Sequence, residues 1–200
     1  MTDETLEQIS LEALRRGDRA EFSRLVETYY NPVYRLALRM TADARDAEDV
    51  LQNTFLQALQ HVAQFEGRSS LSTWLYRIAA NEALMMLRRR KPEVSIDDEP
   101  DDEAEAPHPI QIVDWGSVPE DQLLSGEGRK HLDAAIRRLP DNLRIVFSLR
   151  DLQDLSIKET AEALNLTETA VKTRLLRARL HLREQLSAYY AERIGMEKST

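Results

Sequence analysis

Apolar residues recur at helical spacing along most of the chain, while the strict alternation of a half-buried strand is scarce. Residues 18–41 form one amphipathic run, and Pro32 inside it has no amide hydrogen to donate, which predicts a break or kink there. A second helix is expected from Asp43 to about Val62. Placing successive residues 100° apart puts Ala47, Leu51, Phe55, Ala58 and Val62 on one face. Asp46, Asp49, Asn53, Gln57 and Gln60 fall opposite, with Gln52 and Leu56 beside them. The stretch QFEGRSSLSTW then reads as a turn, with Gly67 in it and two candidate N-caps, Ser70 and Ser72. The helix that follows, from about 72 to 90, places Leu75, Ile78, Ala79 and Met86 toward a core. Arg77, Asn81 and Arg88 share another face, one turn beyond Trp74.

The second half carries a different sequence of elements. Pro140 and Asp141 open a helix over NLRIVFSLRDLQ, and Ser156-Ile-Lys-Glu159 fits a capping box for a short helix ending at Leu164. Asn165-Leu166-Thr167 makes a turn, and a long helix runs from about Glu168 to Tyr189. Its core stripe is Val171, Leu175, Ala178, Leu182 and Leu186. Thr169, Lys172, Thr173, Leu176 and Arg177 lie on the other side, flanked by Arg174, Arg179 and Arg183. A short capped helix, a tight turn and a longer basic helix make a helix-turn-helix. The expected fold class is all-α.

Composition narrows the function classes. The 200 residues allow one large or two small domains. The lack of cysteine excludes disulfides, a thiol nucleophile and Cys-liganded metal. The six glycines form no phosphate-cradling loop, which disfavours a nucleotide-binding enzyme. No apolar run approaches the ~18–20 residues of a bilayer span, and the start, MTDETLEQIS, is acidic and polar, so membrane insertion is not expected and a cytoplasmic location is.

The net charge of −8 changes meaning once it is divided. Residues 1–92 hold 13 basic and 13 acidic groups, and residues 122–200 hold 14 and 11. Residues 93–121 hold 11 acids and no Lys or Arg. That Pro-containing acidic stretch buries too little to offset its ordering entropy and reads as a flexible linker. Two small helical domains follow, 1–92 and 122–194, with a tail at 195–200.

The polar faces point to binding rather than chemistry. Arg and Asn pair bidentately with guanine and adenine edges, and aromatics stack on unpaired bases. Trp74 fits that role or a core position equally well. Leu176 amid Lys, Thr and Arg suits a thymine methyl, and Leu56 beside an acid–amide stripe suits a protein interface. Acid near a helix N-terminus is also favoured by the macrodipole alone. An enzymatic reading would need a carboxylate metal site at Asp46 and Asp49, but no Glu-x-x-His pair supports it and His61 lies off that face. No catalytic residue, metal ligand or cofactor is assigned.

Three segments in this order, DAEDVLQNTFLQAL at 46–59, STWLYRIAANEALMMLRRRK at 72–91 and LPDNLRIVFSLRDLQDLSIKETAEALNLTETAVKTRLLRARLHLRE at 139–184, resemble the extracytoplasmic-function (ECF) sigma factors of the sigma-70 superfamily. The resemblance implies a factor that binds core RNA polymerase, directs it to promoters through −10 and −35 elements and assists melting. Asp46, Glu48, Asp49, Gln52, Asn53 and Leu56 would then dock on the clamp helices of the largest polymerase subunit, with the second-largest subunit as a further contact. Phe65, Arg68, Ser69, Ser70, Trp74, Tyr76, Arg77 and Asn81 would read the −10 element, one base being flipped into a pocket. Arg88, Arg89, Arg90 and Lys91 would hold phosphates, which orient without specifying. Lys172, Thr173, Leu176 and Arg177 would face the −35 element, with Arg174 and Arg179 on phosphates. An anti-sigma factor is a further partner the resemblance admits. A stand-alone helix-turn-helix regulator is the alternative. The linker, over ~80 Å when extended, could separate the two readers as a plain tether; the alternative is that Asp97–Glu105 mimics a nucleic-acid strand in a basic channel of the polymerase, or screens the basic helices of the free factor from stray DNA.

Overall fold

A computed structural model describes residues 9–90 and 126–197, and all regular structure among them is helical. The acidic stretch 93–121, with the roles considered for Asp97–Glu105, and Lys91 lie outside the described residues. The first unit contains α1 (Leu11–Arg15), α2 (Arg19–Thr41), α3 (Ala44–His61), a 3-10 turn at Val62–Gln64 and α4 (Leu71–Arg90). The second contains α5 (Gly126–Arg138), α6 (Asp141–Phe147), a π turn at Ser148–Leu152, α7 (Ile157–Leu164) and α8 (Glu168–Glu197).

Local chemistry sets the helix ends. The Asp18 carboxylate accepts from the amides of Ala20 and Glu21, and that of Asp43 from Arg45 and Asp46, so each satisfies orphan donors at a helix start. Ser70, one of the two expected caps, accepts from the Thr73 amide at 3.1 Å. The Ser156–Glu159 capping box is complete, with both reciprocal bonds formed. Asn165 ends α7 in the left-handed region at φ 55, the conformation its short amide side chain tolerates.

Packing follows the expected faces. Ala47, Leu51, Phe55, Ala58 and Val62 are all buried, as are Val171, Leu175, Ala178, Leu182 and Leu186. Helices α2, α3 and α4 pack together as the first core, while α6, α7 and α5 pack on α8. Three expectations are corrected. Pro32 does not break α2, which runs unbroken from Arg19 to Thr41. The run NLRIVFSLRDLQ is not one α-helix, because the chain widens into the π turn after Phe147. Helix α8 also continues past Tyr189, to Glu197.

The two units touch. Helix α7 rests on α4, and α5 and α6 contact α2. The Thr73 hydroxyl donates to Glu159 at 3.0 Å, and Arg39 lies 4.0 Å from Asp133. The Glu159 carboxyl is held below its ordinary range by the Ser156 amide, the Ser156 hydroxyl and then Thr73. A capping residue of the helix-turn-helix thus also links the N-terminal ends of α7 and α4.

Candidate protein- and nucleic-acid-binding surfaces

Helix α3 presents the first surface. Its core side is filled, which leaves Glu48, Asp49, Gln52 and Asn53 exposed on the opposite side. Leu56 is 56% exposed and Leu59 53%, so two large apolar side chains adjoin the acid–amide stripe. Two members of the expected stripe are committed within the fold. Asp46 is buried and ion-paired with Arg90 at the far end of α4, and Gln57 donates to the buried Glu82 at 2.6 Å. Asp46 therefore belongs to the α3–α4 junction rather than to the outer face. That pairing also takes one carboxylate from the metal site considered at Asp46 and Asp49.

The second surface joins the turn after α3 to the start of α4. Phe65 is buried and stacks on half-buried Trp74, with ring centroids 4.9 Å apart and planes 28° apart. This pair forms part of the wall of an open cavity of about 370 Å³. His61, Gln64, Glu66, Arg68, Ser69 and Arg77 complete its lining. Arg68 is exposed and pairs with Glu66 at 2.6 Å. Arg77, Asn81 and Arg88 are exposed along α4, as their shared wheel position predicts. An aromatic wall, a basic rim and neighbouring amide donors suit an unpaired base.

Tyr76 does not join this surface. It is buried, and its ring meets Tyr29 edge-on at 6.5 Å. Burial, then the nearby Tyr29, pushes its hydroxyl up to about 12. Its neighbour Trp74 packs against the core and also lines the cavity. Ser70 bonds Ser72 and Thr73 as well as capping α4. Arg89 lies against Met85, and Arg90 is taken by Asp46.

The third surface is the outer side of α8. Thr169 and Lys172 are exposed, and Lys172 sits 4.0 Å from Glu168. Thr173, Arg174, Leu176 and Arg177 are half-buried, so Leu176 is less open than its wheel position suggests. Arg179 makes a two-pronged contact with Asp151, at 2.9 and 2.8 Å, which ties α8 to the π turn. The hydrogen bond to Asp151 pushes its guanidinium further above its ordinary range and gives it a structural role in addition to any phosphate contact.

One contributor was not legible in the sequence. Arg15 on α1 crosses to the carbonyl of Phe65, donating from Nε at 2.8 Å and also from Nη2. No local pattern marks a contact between residues 50 apart.

Comparison with known proteins places these surfaces in a context. The family model for sigma-70 region 2 matches residues 25–93, and that for sigma-70 region 4 matches residues 129–182. The ECF RNA polymerase sigma factor SigW of Bacillus subtilis is 35% identical over 176 residues, covering 88% of this chain and 94% of the relative. The ECF RNA polymerase sigma-E factor of Escherichia coli K12 is 33% identical over 182 residues, covering 90% and 93%. Among solved structures, the sigma factor RpoE of Bartonella quintana in complex with the anti-sigma factor NepR superposes with a TM-score of 0.61 at 26% identity, covering 84% of this chain and 97% of that one. CnrH in complex with the cytosolic domain of CnrY gives 0.62 at 22% identity, over 89% and 95%.

Proposed function

The chain belongs to the ECF group of RNA polymerase sigma factors in the sigma-70 family, and from that membership we propose how its surfaces divide the work of initiation. As a sigma factor it binds core RNA polymerase and directs it to specific promoters. The outer side of α3, with Asp49, Gln52, Asn53 and Leu56, is the docking surface for the clamp helices of the largest subunit. The cavity walled by Phe65 and Trp74 takes a base of the melted −10 strand, and Arg77 and Asn81 continue that surface along α4. Lys172, Thr173, Leu176 and Arg177 on α8 face the −35 element in the major groove. The factor works in the cytoplasm with the polymerase, and an anti-sigma factor is a further partner. The observation that carries this division is the aromatic-walled cavity beside an exposed Arg–Asn face, a pairing with no need in a packed helical bundle.

Melting then uses binding energy. Bases held by stacking and by fixed donors offset the pairing and stacking lost from the duplex. The covalent structure of DNA is unchanged, so no acid, base or nucleophile is required of the chain.

The −35 assignment is tested by base scanning. Arg177→Ala is expected to cost about 1–3 kcal/mol of discrimination at one base pair, as for a lost bidentate contact. Arg174→Ala, at a phosphate position, serves as the comparison and should weaken all variants alike, and binding of the holoenzyme to a set of single-base promoter variants is measured at fixed salt. A loss of affinity that is uniform across all variants for Arg177→Ala would turn its side chain from base to phosphate.

A further inference from the structure

The cavity assigned to the −10 strand has a support outside the matched family region, which begins at residue 25. Resting on that assignment, we propose that Arg15 is a positioning residue for −10 reading. It fixes the Phe65 carbonyl, and with it the Phe65–Trp74 stack that shapes the base cavity.

The geometry runs in a chain of contacts. Glu21 is buried in α2, accepts from the Ser10 amide at the start of α1 and pairs with Arg24 at 3.0 Å. Ser10 caps α1, so this anchor sets where α1 begins. One helical turn later Arg15 sends Nε and Nη2 to the same carbonyl oxygen, at the residue where the 3-10 turn ends and the cavity loop starts. The loop bends at Gly67 with φ +76, and a Cβ there would lie 3.5 Å from Leu11 Cδ2 and 3.9 Å from Arg15 Nη2. Helix α1 therefore lies against the loop on two residues.

Chemistry explains the choice of Arg. A planar guanidinium can aim two N–H donors from one rigid fork at a single carbonyl oxygen and so hold its position, whereas an ammonium acts as a point charge. Arg16, its neighbour, pairs with exposed Glu12 instead. A carbonyl freed from Arg15 lets the Phe65 backbone rotate, which changes the spacing of the ring stack without removing any group that meets DNA. The effect is thus expected in base preference and melting, with core assembly unchanged.

The test uses full-length Arg15→Ala, Arg15→Lys and Trp74→Ala in holoenzyme with core polymerase. Core affinity, closed-complex affinity and open-complex rate are measured, together with relative rates on promoters changed at each −10 base. Arg15→Ala should slow opening about tenfold, the worth of one charge-assisted hydrogen bond, and flatten the preference at the same base that Trp74→Ala affects. Arg15→Lys should recover part of the rate and of the preference. Preference kept at wild-type level in Arg15→Ala, while Trp74→Ala changes it, overturns the inference and leaves the cavity assignment standing. Preference unchanged in both overturns the cavity assignment and the inference with it. Should Arg15→Ala fail to fold, Arg15→Lys carries the same comparison, and full wild-type preference there together with a lowered unfolding midpoint makes Arg15 a structural anchor only.

Discussion

Asp49→Arg combined with Gln52→Ala is expected to abolish assembly with core polymerase and to leave the fold intact. Both side chains are exposed on α3, opposite the packed Val50, Leu51, Thr54 and Phe55. Surface changes of this kind typically shift stability by no more than about 0.5 kcal/mol. At a docked interface, a reversed charge meets the partner's complementary field and costs several kcal/mol, about a thousandfold or more in affinity. Asp46→Ala is the control with the opposite signature. It removes a buried carboxylate and its ion pair with the exposed Arg90, so the thermal midpoint should fall first and any loss of core binding should follow it. Titration of labelled core polymerase, beside a thermal melt of each free variant, separates the two. Unchanged core affinity for the double variant would remove α3 from the docking surface.

Trp74→Ala should impair opening of the promoter far more than initial duplex binding. Stacking of a base on an aromatic side chain is worth about 1–3 kcal/mol, so the open complex should form roughly 5- to 150-fold less well. Trp74 also packs on Phe65 and the core, so its removal costs some stability. Asn81→Ala supplies the clean comparison, because Asn81 is exposed and no core contact is lost. Permanganate reactivity of the −10 thymines is compared with closed-complex affinity, below the melting range of the weakest variant. A premelted bubble template should restore transcription in both variants. Failure of the bubble to restore it would assign the Trp74 defect to packing and not to melting.

Much of the helical layout was readable because it depends on short-range rules. The Asp43 cap, the five-residue core face of α3, the Ser156–Glu159 box and the stripe of α8 each follow from spacing within one helix. What was not readable depends on partners far away in sequence. Asp46 and Arg90 each looked available until the fold brought them together across 44 residues. Tyr76 sits between site residues in sequence, yet its direction on the wheel buries it against Tyr29. On the wheel Arg179 only flanks the outer face, and nothing within its own helix shows that Asp151 of the π turn meets it. The break expected at Pro32 is absent for a different reason, since a helix tolerates one missing amide when tertiary packing of Tyr29, Val33 and Leu36 holds both sides. Helix α1 was missed because five residues give too short a period to detect, and its meaning rests on Arg15 reaching Phe65.

The central claim is that this chain reads promoters only as part of a polymerase. The direct measurement is transcription from a pool of genomic fragments by core polymerase with and without the purified chain, beside duplex binding by the chain alone. Transcripts that start downstream of a shared pair of sequence elements, appear only when chain and core are mixed, and vanish with Asp49→Arg/Gln52→Ala are the predicted result. Tight, sequence-specific duplex binding by the isolated chain, with no core-dependent transcripts, would contradict it.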